Sequence, residues 1–303
     1  MSRAGSRRQR REGMARALQS TLKKLSESVE RGEYYEAHQM YRTVYFRYYG
    51  QEKYGDALQT LSEGARLLLN KGQYSSGCDL ALTIVEVYSN THTEVNDESR
   101  ERITSIYPLI PATESLRERF VTRALAWTVD EGTNTRGDPQ LHHLFGMQYY
   151  KEKSYVEAIS HLIYGTDVSA RALGDVLVQC ALESAGDDRH VDSVIAQPLL
   201  KLISLQDLQS ANTAFSRVIS KHPEIGDFPR ISYPLVDLVQ CLLVLCQHEA
   251  GPVFQALKNS YIPVLQDNPT CAKYVNRIGE SYYRIQAQRS GGIFGDLMNQ
   301  MMA

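Results

Sequence analysis

The chain has 303 residues and a nominal net charge of −2, with 43% hydrophobic and 22% charged residues. This is ordinary globular usage and excludes a chain that is disordered along most of its length. The near-neutral charge also excludes an overall field that would attract nucleic acid or a membrane surface.

The chain begins with a basic stretch, MSRAGSRRQRRE, that has no hydrophobic segment after its arginines. It therefore does not have the form of a secretory signal. We expect residues 1–13 to be a disordered basic leader. The longest apolar run, Tyr233 to Cys246, is too short to span a membrane. A cytosolic location is expected.

A repeat of twenty residues begins at Tyr34 and returns tyrosine at positions 54 and 74. Apolar or small residues follow each tyrosine at three, seven, ten and fourteen positions, which is the track of one helix face. The repeat therefore predicts three successive helices joined by short turns. We expect each tyrosine ring to fill space at its helix start, beside a small residue that lets a neighbouring helix approach: Ala37, Ala57 and Gly77.

The same motif returns at Tyr155, Ala158 and Leu162, and Asp138 is expected to cap a helix that starts at Pro139. No strand is predicted. About 14 helices stacked side by side form an α-solenoid, whose extended surfaces bind proteins. The helices are predicted near 14–30, 34–49, 53–70, 74–90, 94–109, 113–130, 138–151, 155–166, 169–185, 188–204, 206–221, 232–248, 252–263 and 269–287.

The sequence offers no motif that would place a phosphate, a metal or a nucleophile, so no enzymatic activity is expected. His142 and His143 are adjacent and point in different directions on a helix, which favours a capping or surface role. The five cysteines form no CxxC pair and are expected to be reduced, small core residues: Cys78, Cys180, Cys241, Cys246 and Cys271.

The helix at 34–49 has a second face with helical spacing, formed by Tyr35, His38, Arg42, Tyr45 and Tyr49. One interpretation is that its tyrosines pack on the first helix. The other is that basic residues of the first two helices form a docking patch for an acidic partner. The basic leader could also bind nucleic acid, although no RNA-binding signature accompanies it.

The last stretch, GGIFGDLMNQMMA, is short and rich in apolar side chains. It could dock back on the solenoid, contact a partner or be disordered. Its apolar residues are Ile293, Phe294, Leu297, Met298 and Met301.

The segments GEYYEAHQMYRT and GDPQLHHLFG resemble the Golgi-to-ER traffic protein 4 family, the cytosolic scaffold of the pathway that delivers tail-anchored membrane proteins. The resemblance implies an all-α fold, a right-handed α-α superhelix of tetratricopeptide-like type. It implies that the N-terminal half, 14–151, docks a homodimeric targeting ATPase. The C-terminal half, 152–288, would hold the N-terminal segment of a ubiquitin-like partner, and 289–303 would be a flexible apolar tail.

Site residues follow from the same resemblance. Basic side chains of the first two helices would face an acidic surface of the ATPase: Lys23, Lys24, Arg31, Arg42 and Arg47. Apolar candidates for the ubiquitin-like partner are Leu238, Leu242, Leu245 and Phe254, for which plain core packing is the alternative. From the residues themselves, no catalytic residue, cofactor, metal, nucleic-acid partner or direct membrane insertion is expected.

The chain departs from the family pattern in two places. The segment Glu224–Pro234 is short for a family insertion that forms a hairpin, and the long acidic tail of larger members is missing. Two other functions stay open from the residues alone. One is a generic helical-repeat adaptor of a vesicle-coat or proteasome-lid-like assembly, and the other is an enzyme or RNA-binding protein built on a solenoid.

Overall fold

The computed structural model describes residues 20–21, 23–130, 135–184, 187–225 and 228–285. Within these ranges every regular element is helical and no β-strand occurs, so the all-α prediction is confirmed. The chain divides into two compact units, Met1–Phe145 and Gly146–Ala303. The predicted leader, 1–13, and the predicted tail, 289–303, lie outside the described residues.

Unit 1 begins with α1, whose described residues are 20–21 and 23–30. It continues with α2 (Tyr34–Tyr49), α3 (Tyr54–Asn70), α4 (Tyr74–Asn90), α5 (Asp97–Ile106), a 3-10 turn (Tyr107–Leu109), α6 (Arg117–Trp127) and the first part of α7 (Pro139–Lys151). Helices α2, α3 and α4 pack on one another in succession, and α6 packs on α4.

The described residues of unit 2 form the end of α7 and eight further helices. They are α8 (Tyr155–Leu162), α9 (Asp167–Glu183), α10 (Asp188–Ser204), α11 (Leu208–Lys221), α12 (Pro234–Leu245), α13 (Gly251–Ser260), α14 (Ile262–Asp267) and α15 (Pro269–Tyr283). Helix α9 packs on α8 and α11, while α10 packs on α12 and α15. Helix α10 therefore lies at the centre of this unit's core.

The twenty-residue repeat marks the buried faces of α2, α3 and α4. All its positions after the leading tyrosine are buried except Tyr48, which is half-buried. Gly64 shows why a small residue is needed, because a Cβ built on it would lie 2.7 Å from ring carbons of Tyr41 and 2.8 Å from Leu80. The repeat thus marks the residues at which neighbouring helices are in close contact.

The expectation for the leading tyrosines is wrong for two of the three. Tyr54 and Tyr74 are 37% and 42% exposed, and Tyr34 is half-buried. These residues lie at the first position of their helices, where the ring reaches only the rim of the stack. The small residue three positions later carries the helix contact instead.

The turns between helices repeat as well. In five of them one residue has positive φ: Gly32, Glu52, Gly72, Lys153 and Gln206. Its amide donates to the carbonyl three residues earlier, and the next amide donates to the carbonyl five residues earlier, as in Gly72 to Leu69 and Gln73 to Leu68. This Schellman arrangement satisfies the last carbonyls of each helix and reverses the chain within three residues.

Helix ends differ from the predictions where local chemistry intervenes. The predicted helix at 252–263 is two helices, because Pro263 has no amide hydrogen to continue α13. Helix α5 starts at Asp97 and not near 94, since the Asn96 side chain accepts from the Ser99 amide and caps it. Helix α15 ends at Tyr283, before Arg284 at φ 55°. The predicted start at Pro139, capped by Asp138, is confirmed by Asp138 Oδ1 accepting from two amides at 3.0 Å.

Candidate partner-binding surfaces

The second face of α2 is partly packed and partly displayed. His38 and Tyr45 are buried, Arg42 and Tyr49 are half-buried, and Tyr35 is 72% exposed. Its contacts reach α4, since Nε2 of His38 lies 2.9 Å from Oδ2 of Asp79. Each of the two interpretations therefore describes only some residues of this face.

The five predicted ATPase-binding cations all lie on α1, on α2 or in the turn between them, and we call them the basic surface: Lys23, Lys24, Arg31, Arg42 and Arg47. Lys23 and Arg31 have ion-pair neighbours close in sequence, Glu27 at 3.9 Å and Glu33 at 3.0 Å. Exposed pairs of this kind contribute about 0–1 kcal/mol, so both charges stay accessible to a stronger partner.

Two arginines of the basic surface have contacts beyond their own helix. Arg42 Nη1 donates to Asp79 Oδ2 of α4 at 3.2 Å, and Arg47 Nη1 donates to Thr21 Oγ1 of α1 at 2.8 Å. These bonds order the two side chains before any partner arrives. Binding then loses less side-chain freedom.

An exposed aromatic residue beside this surface was missed. Phe46 is 57% exposed, and the guanidinium carbon of Arg42 lies 6.0 Å from its ring centroid. Aromatic and arginine side chains dominate interface energetics. The signal was present in the sequence, because Phe46 stands off the buried repeat track, two residues after Val44.

In unit 2, most of the apolar candidates for the ubiquitin-like partner are core residues. Leu238, Leu242 and Phe254 are buried, and only Leu245 is partly accessible. Direct contact with a partner would need these three side chains to leave the core. Their binding role stays a prediction, but an accessible apolar surface of this unit is formed by other residues.

That surface is a groove of about 400 Å³ between α12, α13 and the segment that precedes α12, which we call the apolar groove. Val244, Val253 and Phe228 are each more than half exposed. In helical projection Val244 lies between Asp237 and Gln240, the two polar residues of α12, and this position could have marked it as a displayed residue. The groove is lined by Phe228, Cys241, Val244, Leu245, Val253 and Leu257.

Buried carboxylates hold the groove in place. Asp237 accepts from the Arg230 backbone amide and guanidinium, both at 2.7 Å, and Arg230 Nη1 also donates to Gln240 at 2.8 Å. Asp192 of α10 accepts from the amides of Leu235 and Val236 at 2.9 Å, capping α12 from another helix. Burial raises the pKa of Asp192 to about 6, and nearby Asp237 adds to this.

The thiols are placed as packing residues. Burial raises the pKa of Cys78 and of Cys271 to about 12 and that of Cys246 to about 11, so these thiols are protonated at neutral pH. All five cysteines are free, but Cys180 and Cys241 are only half-buried, which corrects the prediction of five core cysteines. His142 is buried with Nε2 3.1 Å from the Arg136 carbonyl oxygen, so a surface role is wrong for it.

Within the described ranges, no cluster of three or more His, Cys, Asp or Glu side chains could hold a metal ion. None of the helices in the same ranges is both long and apolar enough to cross a membrane.

Comparison with known proteins decides the family. The family model described as Golgi to ER traffic protein 4 matches residues 51–302. The chain belongs to the Golgi to ER traffic protein 4 family. A homologue from Oryzias latipes is 34% identical over 285 residues, which cover 92% of this chain and 86% of that protein. A human homologue is 34% identical over 282 residues, covering 92% and 85%.

A solved structure supports the same conclusion. The crystal structure of C. therm. Get4 matches with a TM-score of 0.83 and 26% identity, covering 95% of this chain and 96% of that one. The fold class expected from the resemblance is thus confirmed. Because the family match begins at residue 51, the basic surface on α1 and α2 lies before it, whereas the apolar groove lies inside it.

Proposed function

We propose that this member of the Golgi to ER traffic protein 4 family is a non-catalytic cytosolic scaffold for post-translational insertion of tail-anchored proteins into the ER. Unit 1 binds the homodimeric targeting ATPase through the basic surface. Unit 2 holds the N-terminal segment of a ubiquitin-like, chaperone-recruiting partner. The observation that carries the proposal is family membership together with two displayed surfaces of different chemistry, one in each unit.

The chemistry of each surface suits a different kind of partner. Ordered arginines beside exposed aromatic rings suit an acidic protein surface, which would be approached under electrostatic attraction. The apolar groove suits an apolar helix or extended peptide, for which buried area supplies the affinity. One chain that carries both sites raises the effective concentration of one partner near the other.

The test of bridging is a three-component assembly experiment. The intact chain, the ATPase and the ubiquitin-like partner are mixed and separated by size, with each pair as a reference. The scaffold model expects a ternary complex and no association between ATPase and ubiquitin-like partner without this chain. Mutually exclusive binding, or recovery of coat or lid subunits in place of these partners from lysate, would refute it.

The groove has its own test. Val244→Asp with Val253→Asp should weaken the ubiquitin-like partner by at least about tenfold, since each change puts a charge in an apolar contact. The matched control is Val156→Asp on α8, because Val156 is 75% exposed and lies outside the groove. The control should leave affinity unchanged. Equal losses from both variants would place the site elsewhere.

A further inference from the structure

A second groove of unit 2 is not used by the proposed function. It has a volume of about 1,210 Å³ and lies among α13, α14 and α15. Its apolar part includes Ile262, Ala272 and Ile285. Alone, an apolar groove does not reveal what covers it, but here its charges and the path of the chain both point to one occupant.

The charges along this groove are mainly positive. Lys258, Lys273 and Arg277 line it, with Glu280 as the acidic neighbour. Within the described part of the chain none of the three cations has a carboxylate within ion-pair distance. The groove therefore favours an occupant that is apolar with some negative charge.

The described chain leads directly into this groove. Ile285, the last described residue, is itself one of the lining residues. The sequence continues as QAQRSGG and then IFGDLMNQMM. Seven linker residues, Gln286 to Gly292, can span up to about 23 Å, enough to return the following segment over the groove.

The segment after the two glycines has the matching chemistry. At helical spacing its apolar residues fall on one side, with Asp296 and Asn299 on the other: Ile293, Phe294, Leu297, Met298 and Met301. A helix this short is marginal in water, so it needs a surface to fold against.

We propose that residues 293–301 dock as a short amphipathic helix in the groove formed by α13, α14 and α15 of the same chain. The apolar side covers Ile262, Ala272 and Ile285, and Asp296 lies toward the cations of Lys273 and Arg277. The groove is then an intramolecular binding site for residues 293–301. This inference is independent of the proposed function, since it involves no second protein.

Photo-cross-linking in the full chain tests the contact. With Phe294→p-benzoylphenylalanine, irradiation should join residue 294 to residues 258–277 of the same chain, at monomer mass. Cross-links to Val244 or Val253, cross-links between two copies, or no cross-link would each overturn the proposal.

Two pairs of variants in the cross-linking background separate docking from chance proximity. Leu297→Asp should reduce the cross-link by at least about tenfold, whereas Asn299→Asp, which adds the same charge on the opposite side, should not. Lys273→Glu with Arg277→Glu should reduce it by about threefold, and Arg171→Glu on α9 should leave it unchanged. If Asn299→Asp removed the cross-link as fully as Leu297→Asp, helical docking would be rejected.

Discussion

The guanidinium of Arg42 and the carboxylate of Asp79 join α2 to α4, with Nη1 3.2 Å from Oδ2. Their side chains are 43% and 40% exposed, so solvent screens the pair and it contributes at most about 1 kcal/mol to stability. The larger effect is on the electrostatic potential of the basic surface, because the negative charge of Asp79 offsets one of its positive charges. The bond orders Arg42 while moderating its charge.

Neutralising that carboxylate should therefore change the affinity for the ATPase more than it changes the stability of the fold. Asp79→Asn should change the free energy of unfolding by less than about 1 kcal/mol and strengthen the ATPase complex by about threefold at low salt. Isothermal titration at two salt concentrations measures this. Glu101→Gln on α5 is the control, since it removes one exposed negative charge from a helix that carries no part of the basic surface. A weaker complex with Asp79→Asn would show that the carboxylate itself contacts the partner.

Glycine 64 provides a prediction about packing. Gly64→Ala should destabilise unit 1 by about 1–3 kcal/mol, because the new methyl group would overlap the Tyr41 ring and Leu80. The control is Gly55→Ala in the same helix, where a Cβ meets nothing within 4 Å. It should be neutral or stabilising by up to about 1 kcal/mol. Denaturant unfolding measures the free energy of unfolding of both variants. Equal changes for the two variants would contradict the close approach of the helices at Gly64.

The leading tyrosines give a second stability prediction. Tyr54→Ala should cost less than about 1.5 kcal/mol because the ring is partly exposed, whereas Tyr88→Ala should cost about 3–5 kcal/mol because that ring is fully buried. Thermal unfolding of the two variants measures the difference. A cost for Tyr54→Ala that matched Tyr88→Ala would show that the rim position is packed in solution.

The cap on α12 predicts a pH dependence. The pKa of Asp192 is about 6 in the folded protein, above its usual value of 3.8, so the folded state binds a proton first as the pH falls. This group therefore adds stability as the pH falls from about 7 to about 4, by about 2–3 kcal/mol. The stability of wild type relative to Asp192→Asn should rise over that range.

Asp175 supplies a control of opposite sign. Burial acts to raise its pKa, but hydrogen bonds from Arg217 and Lys221 outweigh burial and hold the pKa below its usual value. The stability of wild type relative to Asp175→Asn should therefore fall as the pH falls through the usual carboxyl range. Parallel trends for the two aspartates would contradict the different surroundings assigned to them.

Much of unit 1 could be predicted from sequence because its repeat is regular. The buried positions Ala37, Ala57 and Gly77 recur every twenty residues in the sequence. Asp138 predicted the start of α7, because it is an N-cap residue type directly before Pro139. Solvent exposure at the helix starts was not visible, since burial of Tyr54 depends on how far the neighbouring helix extends. Cross-helix contacts such as Asp192 with Leu235 have no sequence signature at a separation of 43 residues.

The candidate sites divide in the same way. The cations of α1 and α2 could be named from charge and position, because basic side chains at helix surfaces are usually exposed. The apolar groove was harder to name, since nine of the eleven residues in the run LVDLVQCLLVL are apolar and the packing of α10 shows which of them are covered. Leu238 and Leu242 were chosen for their type, and the structure shows that type alone cannot separate core from groove.

The central claim is that the basic surface binds the targeting ATPase, and a titration of the ATPase with three forms of this chain tests it most directly. The forms are wild type, Lys24→Glu with Arg42→Glu, and a control with the same charge change at exposed residues of unit 1, Lys71→Glu with Arg123→Glu. Circular dichroism is the folding control, and all three forms should be equally helical. We predict that the first double reversal abolishes binding, while the control retains wild-type affinity within about threefold. Unaltered affinity after reversal of Lys24 and Arg42 would contradict the account.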